Sequence, residues 1–113
     1  MVYEASKEVI DKVYEAIEVA KTTGKIRKGT NETTKVIEKG TAKLVVIAKD
    51  ISPPEITMHI PLLAQEKGVP CVQVPSKEEL GAAAGLDVPT GSVAIVQEGE
   101  AKQLIKEISE SMK

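Results

Sequence analysis

The apolar positions of the chain follow two periods, one typical of helices and one typical of buried strands. Residues 4–22 place Val9, Val13 and Ile17 at helical spacing among charged residues. This pattern predicts an amphipathic first helix, which Gly24 ends.

Four more helices are predicted downstream. Thr30 is expected to be the N-cap of a helix that runs to about Lys39, where Gly40 ends it. Ser52 starts the next helix as part of a capping box with proline in the first turn, and Pro61 should bend or break that helix. The last two helices are expected over residues 76–84 and 100–112.

Short apolar segments separate these helices. The segment "KLVVIA" (43–48) is nearly continuous and β-branched, which predicts a strand buried on both faces of a sheet. "VPCVQV" (69–74) and "SVAIVQ" (92–97) are similar, and residues 25–28 form a short extended piece. Alternating strands and helices predict an α/β fold: a three-layer α/β/α sandwich with a central mixed sheet of about four strands, in a single domain over residues 1–113.

The composition narrows the function classes. The 113 residues contain no Phe or Trp and only two Tyr, so the core must be aliphatic and stacking surfaces are scarce. The lone Cys71 excludes an internal disulfide, and the spacing of a zinc site is missing. Without a signal peptide pattern or a membrane-length apolar run, we expect a cytoplasmic protein with no membrane partner.

Charge is distributed unevenly along the chain. The net charge is only −2, but residues 24–43 carry six basic and two acidic side chains. One basic segment therefore lies on an acidic body, and a nucleic-acid partner stays possible despite the net charge.

Enzyme interpretations fail one by one. Gly24, Gly29 and Thr30 are spaced nearly like a phosphate-binding loop, but the lysine is missing and a helix precedes the loop instead of a strand. His59 has no partner nucleophile in the sequence, and Cys71 falls in a buried strand. We therefore expect a protein that is not an enzyme and needs no cofactor or metal.

The start of the second helix offers a different chemistry. Asn31 and Lys35 are four residues apart and project together, with Glu32 on the neighbouring flank. An amide, a carboxylate and an ammonium group can read base edges beside a phosphate backbone, and free amides at a helix start suit phosphate. The residues alone leave the alternative open that this is an ordinary capped helix with surface charges.

A family resemblance decides between these interpretations. The stretch "KIRKGTNETTKVIEKGTAKLVVIAKDISPPEITMHIPLLAQEKGVP", followed by "VPSKEELGAAAGLDVP" and "SVAIV", resembles the kink-turn RNA-binding family of the archaeal large-subunit ribosomal protein L-seven-Ae. The resemblance runs from about Gly24 to Gly99. It implies a three-layer α/β/α protein that binds and stabilises kink-turn motifs in structured RNA.

The resemblance also implies the contact residues. Asn31 and Glu32 would contact guanines of tandem sheared G·A pairs with support from Lys35, and an apolar loop would cover looped-out nucleotides. The full set of implied RNA-binding residues is Lys25, Arg27, Lys28, Gly29, Thr30, Asn31, Glu32, Lys35, Ser52, Ile56, Lys77, Leu86, Asp87 and Val88. Two alternatives stay open: Ser52 is fully explained as a helix cap, where many relatives have an acidic residue, and Leu86 and Val88 can pack on their own domain.

The implied partners are kink-turn RNA, the large ribosomal subunit, box C/D and H/ACA guide particles with their Nop-domain scaffold and fibrillarin, and ribonuclease P. The chain is expected to be a monomer in isolation. A rival interpretation is a protein-interaction module, in which the helix around residues 53–63 binds a partner. A ribosomal protein of the same fold that serves one particle is the other alternative.

Overall fold

A single mixed sheet organises the molecule. The structure, a computed structural model, describes residues 3–4, 6–51 and 58–112. Within these residues the sheet has five strands in the order β1-β4-β3-β5-β2. The strands are β1 (Tyr3–Glu4), β2 (Lys25–Lys28), β3 (Leu44–Ala48), β4 (Cys71–Val74) and β5 (Ser92–Gln97).

Helices cover both faces of this sheet. They are α1 (Lys7–Thr23), α2 (Thr30–Glu38), α3 (His59–Glu66), α4 (Lys77–Ala83) and α5 (Lys102–Ser111), with a 3-10 turn at Gly99–Ala101 before α5. One apolar cluster joins the sheet to α1, α4 and α5, and a second joins it to α2 and α3. The predicted three-layer α/β/α sandwich is confirmed.

The central strand β3 shows why the prediction from the apolar run was sound. Leu44 and Val46 belong to the first apolar cluster, while Val45 and Ile47 belong to the second. All five residues of the strand are buried. A strand whose side chains enter two cores cannot alternate between apolar and polar residues.

The first helix does not begin at residue 4 as predicted. Tyr3 and Glu4 pair in parallel with Val72 and Gln73 of β4, and the helix begins only at Lys7. The hydroxyl of Ser6 caps it by accepting a hydrogen bond from the Val9 amide. Pairing with an otherwise open sheet edge therefore outweighs the local helical pattern, and it adds a fifth, two-residue strand to the four expected.

The prediction that Thr30 caps α2 is wrong by one residue. Gly29 is the N-cap: its carbonyl accepts from the Thr33 amide, and its own amide donates to the Ser92 carbonyl at 2.9 Å. Gly29 has φ 93, a backbone conformation that residues with a side chain rarely adopt. Thr30 is the first residue of the helix itself.

The third predicted helix is described only in part. Ser52 and the rest of the capping box lie outside the described residues, and α3 is described from His59. Pro61 falls in the first turn of that described segment, where a helix needs no amide donor from it. No helix in the described ranges is both long and apolar enough to cross a membrane.

The sheet topology brings four chain segments to one end of the sheet. Strands β3 and β4 are parallel, while β5 is antiparallel to both β3 and β2. Strands β2, β3 and β4 therefore finish, and β5 begins, at the same end of the sheet. The start of α2, the start of α4 and the loop that precedes β5 all meet there.

Candidate nucleic-acid interface

The start of α2 presents three polar side chains to solvent. Asn31, Glu32 and Lys35 are all exposed, whereas Val36 and Ile37 on the opposite side are buried against the sheet. Lys35 Nζ lies 3.4 Å from Glu32 Oε2. An exposed ion pair of this kind contributes little to stability, so both side chains stay available to a ligand. We call residues 28–32 together with Lys35 the tip.

The backbone at the tip is open. The first amides of a helix have no intrahelical acceptor, and no side chain of the described residues caps those of α2. Apart from its chain neighbours, no atom of the described residues lies within 4 Å of a Cβ placed on Gly29, which leaves open space beside this backbone. A helix start with free amides and open space beside it is suited to an anion such as phosphate.

A basic strand runs from the tip along the edge of the sheet. In β2 the side chains of Lys25, Arg27 and Lys28 are exposed, and only Ile26 packs on the core. The Arg27 guanidinium donates to the Ile26 carbonyl at 3.2 Å. Since β2 pairs on one side only, with β5, its other edge is free of a neighbouring strand within the described sheet.

A groove of about 440 Å³ separates β2 from α2. Its charged lining consists of four cationic side chains and one carboxylate: Lys25, Arg27, Lys35, Lys39 and Glu32. The excess of positive charge makes this groove a surface for a polyanion. Lys28 does not line it, and lies instead beside Gly29 at the tip.

The apolar loop at residues 85–91 divides between core and surface. Leu86 is half-buried and packs on the first apolar cluster, so the alternative of packing on its own domain holds for that residue. Asp87 is exposed, and Val88 is 62% exposed. Val88 is therefore the more accessible of the two predicted apolar contacts, and the RNA roles of both residues stay predictions.

The remaining predicted residues lie at the same end of the sheet as the tip, or outside the described residues. Lys77 is half-buried at the start of α4, where its amide donates to Asp50 Oδ1 at 2.8 Å and the Ser76 hydroxyl caps the helix. Ser52 and Ile56 lie outside the described residues. The predicted residues that the structure describes therefore lie at one end of the sheet, or on strand β2, which finishes at that end.

Comparison with known proteins identifies the family. Residues 11–105 match the "Ribosomal protein L7Ae/L30e/S12e/Gadd45 family". The chain belongs to this family. Its fold is also similar to that of the Giardia lamblia 15.5kD RNA binding protein, with a TM-score of 0.90 and 33% sequence identity. That likeness covers 96% of this chain and 90% of the Giardia chain.

Membership in the L7Ae/L30e/S12e/Gadd45 family places the chain among non-enzymatic proteins. The chemistry of its side chains agrees. Burial raises the pKa of the Cys71 thiol to about 12, so the thiol is a poor nucleophile at neutral pH. The ring Nε2 of His59 is 2.9 Å from the Thr34 hydroxyl, which fastens α3 to α2. In the described ranges no three His, Cys, Asp or Glu side chains are grouped so as to hold a metal ion.

The sequence did not indicate three residues at or beneath this surface. Lys39 lines the groove, and its spacing of four from Lys35 on one helix was a usable signal. Thr90 and Ser92 are buried polar residues beside the loop and the tip. Their only sequence signal is a pair of hydroxyls just before an apolar strand, which is too common to predict a role.

Proposed function

We propose that this chain binds structured RNA through the tip, the basic strand β2 and the loop at residues 85–91. The observation that carries the proposal is the tip itself. Asn31, Glu32 and Lys35 surround a helix start that no described side chain caps, with open space beside Gly29. Base-reading groups and phosphate-binding amides thus occur within one turn of helix. The family match and the likeness to an RNA-binding protein support the same function.

The RNA we propose is the kink turn, a sharply bent helix with tandem sheared G·A pairs. Asn31 and Glu32 read guanine edges, and Lys35 contacts bases and backbone beside them. Lys25, Arg27 and Lys28 contact phosphates, and the exposed Val88 covers a looped-out nucleotide. The free RNA populates bent and extended forms, and the protein shifts that equilibrium by binding the bent form more tightly.

The particles in which this binding is used follow from the resemblance. The proposed targets are ribosomal RNA of the large subunit, box C/D and H/ACA guide RNAs, and ribonuclease P RNA in an archaeal cell. In each, a stabilised kink gives later proteins a fixed RNA shape on which to assemble. Sequencing the RNA that co-purifies with the chain from its own cells would identify the targets among these classes.

The direct test is a gel-shift titration on a kink-turn RNA. The parent should bind it, and should bind poorly to the same RNA with the G·A pairs replaced by Watson–Crick pairs. Asn31→Ala and Glu32→Ala should each cost about 1–3 kcal/mol of binding free energy, roughly ten- to a hundredfold in Kd, the range for a good base contact.

Glu38→Ala is the matched control, because it removes the same charge at the far, exposed end of the same helix. It should bind like the parent or slightly more tightly. If Asn31→Ala and Glu32→Ala both bound as well as Glu38→Ala, the tip would not read the RNA. If the parent did not distinguish the two RNAs, kink-turn recognition itself would be refuted.

A second candidate function is protein interaction through α3. Met58 and Leu62 are 64% and 66% exposed. They lie four residues apart, on one side of a helix, which is the pattern of an apolar contact site. Binding of a purified Nop-domain scaffold in the absence of RNA, lost in Leu62→Ser, would support this function. Binding only in the presence of RNA would make the protein contact secondary to RNA recognition.

A further inference from the structure

In the part of the chain that the structure describes, buried polar side chains are rare and concentrate near the proposed interface. Among the described residues, the buried polar side chains are Thr33, Thr90 and Ser92. Thr33 belongs to α2, and the other two flank Gly91 at the start of β5. A buried hydroxyl lowers stability unless it is hydrogen-bonded, so an apolar residue would be the simpler choice at such positions. Thr90 and Ser92 do have partners, and those partners connect the loop to the tip.

The carbonyl oxygen of Ser92 accepts two hydrogen bonds. The amide of Gly29 donates from the tip at 2.9 Å, and the hydroxyl of Thr90 donates from the loop at 3.2 Å. One acceptor atom therefore joins the two segments that the proposed function assigns to RNA. The Ser92 hydroxyl reinforces the connection from the same residue, at 3.5 Å from the Thr30 hydroxyl.

Thr90 also joins the loop to α4. Its amide donates to the Lys77 carbonyl at 3.2 Å, and the Lys77 amide donates in turn to Asp50 Oδ1. Elsewhere the loop is held at its beginning, where the Leu86 amide donates to the Gly81 carbonyl, and at Gly91, whose carbonyl accepts from Ala48. Val88 lies between these anchors with an exposed side chain, and Thr90 is the nearer of the two hydrogen-bonding anchors on its C-terminal side.

We propose that Thr90 is a positioning residue for RNA recognition, one that fixes Val88 at a set distance from the tip without touching RNA itself. The inference rests on the proposed function, since it assumes that the tip and Val88 contact one RNA. A ligand that bridges two segments binds more tightly when their spacing is set in advance, because less ordering is needed on binding.

The test removes only the hydroxyl of Thr90. Thr90→Val keeps the branched shape and the backbone amide, and the Ser92 carbonyl keeps its bond from Gly29. Thr90→Ser keeps the hydroxyl and is the rescue control. On a kink-turn RNA, Thr90→Val should bind roughly two- to tenfold more weakly than the parent, the range for one net hydrogen bond. Thr90→Ser should bind like the parent.

Double-mutant cycles separate positioning from a general loss of structure. If Thr90 acts by placing Val88, Thr90→Val should change Kd by less than about twofold in a Val88→Ala background, since the contact it supports is already gone. In an Asn31→Ala background it should cost the same factor as in the parent. Equal losses in both backgrounds would mean a general structural effect and would overturn the inference.

A measurement without RNA keeps the two proposals distinguishable. Hydrogen exchange of the Thr90 amide in the free protein should be faster in Thr90→Val and unchanged in Thr90→Ser, because the hydroxyl holds this end of the loop. Unchanged exchange and unchanged affinity would refute the role of Thr90 while leaving RNA binding intact. If the exchange rates of the variants differed as expected but the parent bound no kink-turn RNA, the proposed function would be overturned, and the RNA role of Thr90 with it.

Discussion

Gly81 in α4 tests whether the position of the loop matters. A Cβ at this residue would collide with the Val88 carbonyl oxygen, and would lie 3.2 Å from Pro89 Cα and 3.3 Å from the Thr90 amide nitrogen. All three are backbone atoms of the loop, so no side chain can rotate away. In Gly81→Ala the loop must therefore move outward from α4, and it carries Val88 with it.

Two opposing effects set the expected change in stability. Replacing glycine by alanine inside a helix stabilises it by about 1 kcal/mol. Forcing a methyl group into a packed site typically costs about 1–3 kcal/mol. The net loss in the free energy of unfolding should thus be about 0–2 kcal/mol, too small to unfold a domain of ordinary stability of about 5–15 kcal/mol. The variant should fold and can be compared with the parent in solution.

The loss in RNA affinity follows from the exposed area of Val88. Fully burying a valine side chain is worth about 1.5–3 kcal/mol. Because Val88 is 62% exposed in the free protein, covering it with a nucleotide can contribute at most about 1–2 kcal/mol. A loop displaced from its place should forfeit most of that contribution, so Kd should rise by up to roughly five- to thirtyfold.

The assay is a pair of measurements, thermal unfolding and kink-turn RNA titration, on Gly81→Ala and Ala82→Gly. Ala82 is the exposed neighbour in the same helix. Its substitution should cost about 1 kcal/mol of stability through helix propensity and leave RNA affinity unchanged. If Gly81→Ala were instead more stable than the parent by about 1 kcal/mol and bound RNA equally well, the loop would have no fixed position and the reasoning would be refuted.

Two other predictions concern charge and titration. Lys25→Ala and Lys28→Ala should each weaken binding similarly across RNA sequences. Each should also reduce the slope of log Kd against log salt concentration by about one unit. Lys67 is an exposed residue just beyond α3, and Lys67→Ala should leave the slope unchanged. An unaltered slope in the first two would remove them from the phosphate contacts. Burial raises the pKa of Cys71 from 9.0 to about 12, so its contribution to stability is complete below pH 9 and is lost as pH rises towards 12. Between pH 8 and 11, chemical denaturation should show that the free energy of unfolding falls more steeply in the parent than in Cys71→Ala. At pH 8.5, iodoacetamide should modify the thiol only after the protein unfolds.

Local patterns predicted the elements whose cause is local. The helix predicted over residues 76–84 begins at Lys77 with the Ser76 hydroxyl as its cap, an interaction that needs only the next three residues. The strand at Leu44–Ala48 was visible because burial on two faces removes all polar residues from it. The shared exposure of Asn31, Glu32 and Lys35 followed from their spacing on one helix. The roles assigned to these exposed side chains came from the family resemblance and stay predictions.

Features that depend on distant partners could not be predicted. Tyr3–Glu4 is a strand only because β4, far along the chain, offers an open edge. Gly29 is the N-cap because Ser92 fixes its amide, and these two residues are joined by the sheet and not by sequence. The close approach of Gly81 to the loop belongs to the same class. Such contacts have no period along the sequence, so no pattern indicates them.

The choice of Gly29 at the N-cap has a functional reading under the proposed RNA binding. Ser, Thr, Asn or Asp at this position would place an oxygen on the first free amides of α2, and replacing such a cap by glycine costs only a few tenths of a kcal/mol. That oxygen would occupy the place where phosphate binds and would repel it. With glycine the amides stay unoccupied until RNA arrives, and φ 93 admits few other residues. The hydrogen bond from the Gly29 amide to the Ser92 carbonyl holds the tip at the end of the sheet. The helix start is therefore open to a ligand while its position stays fixed.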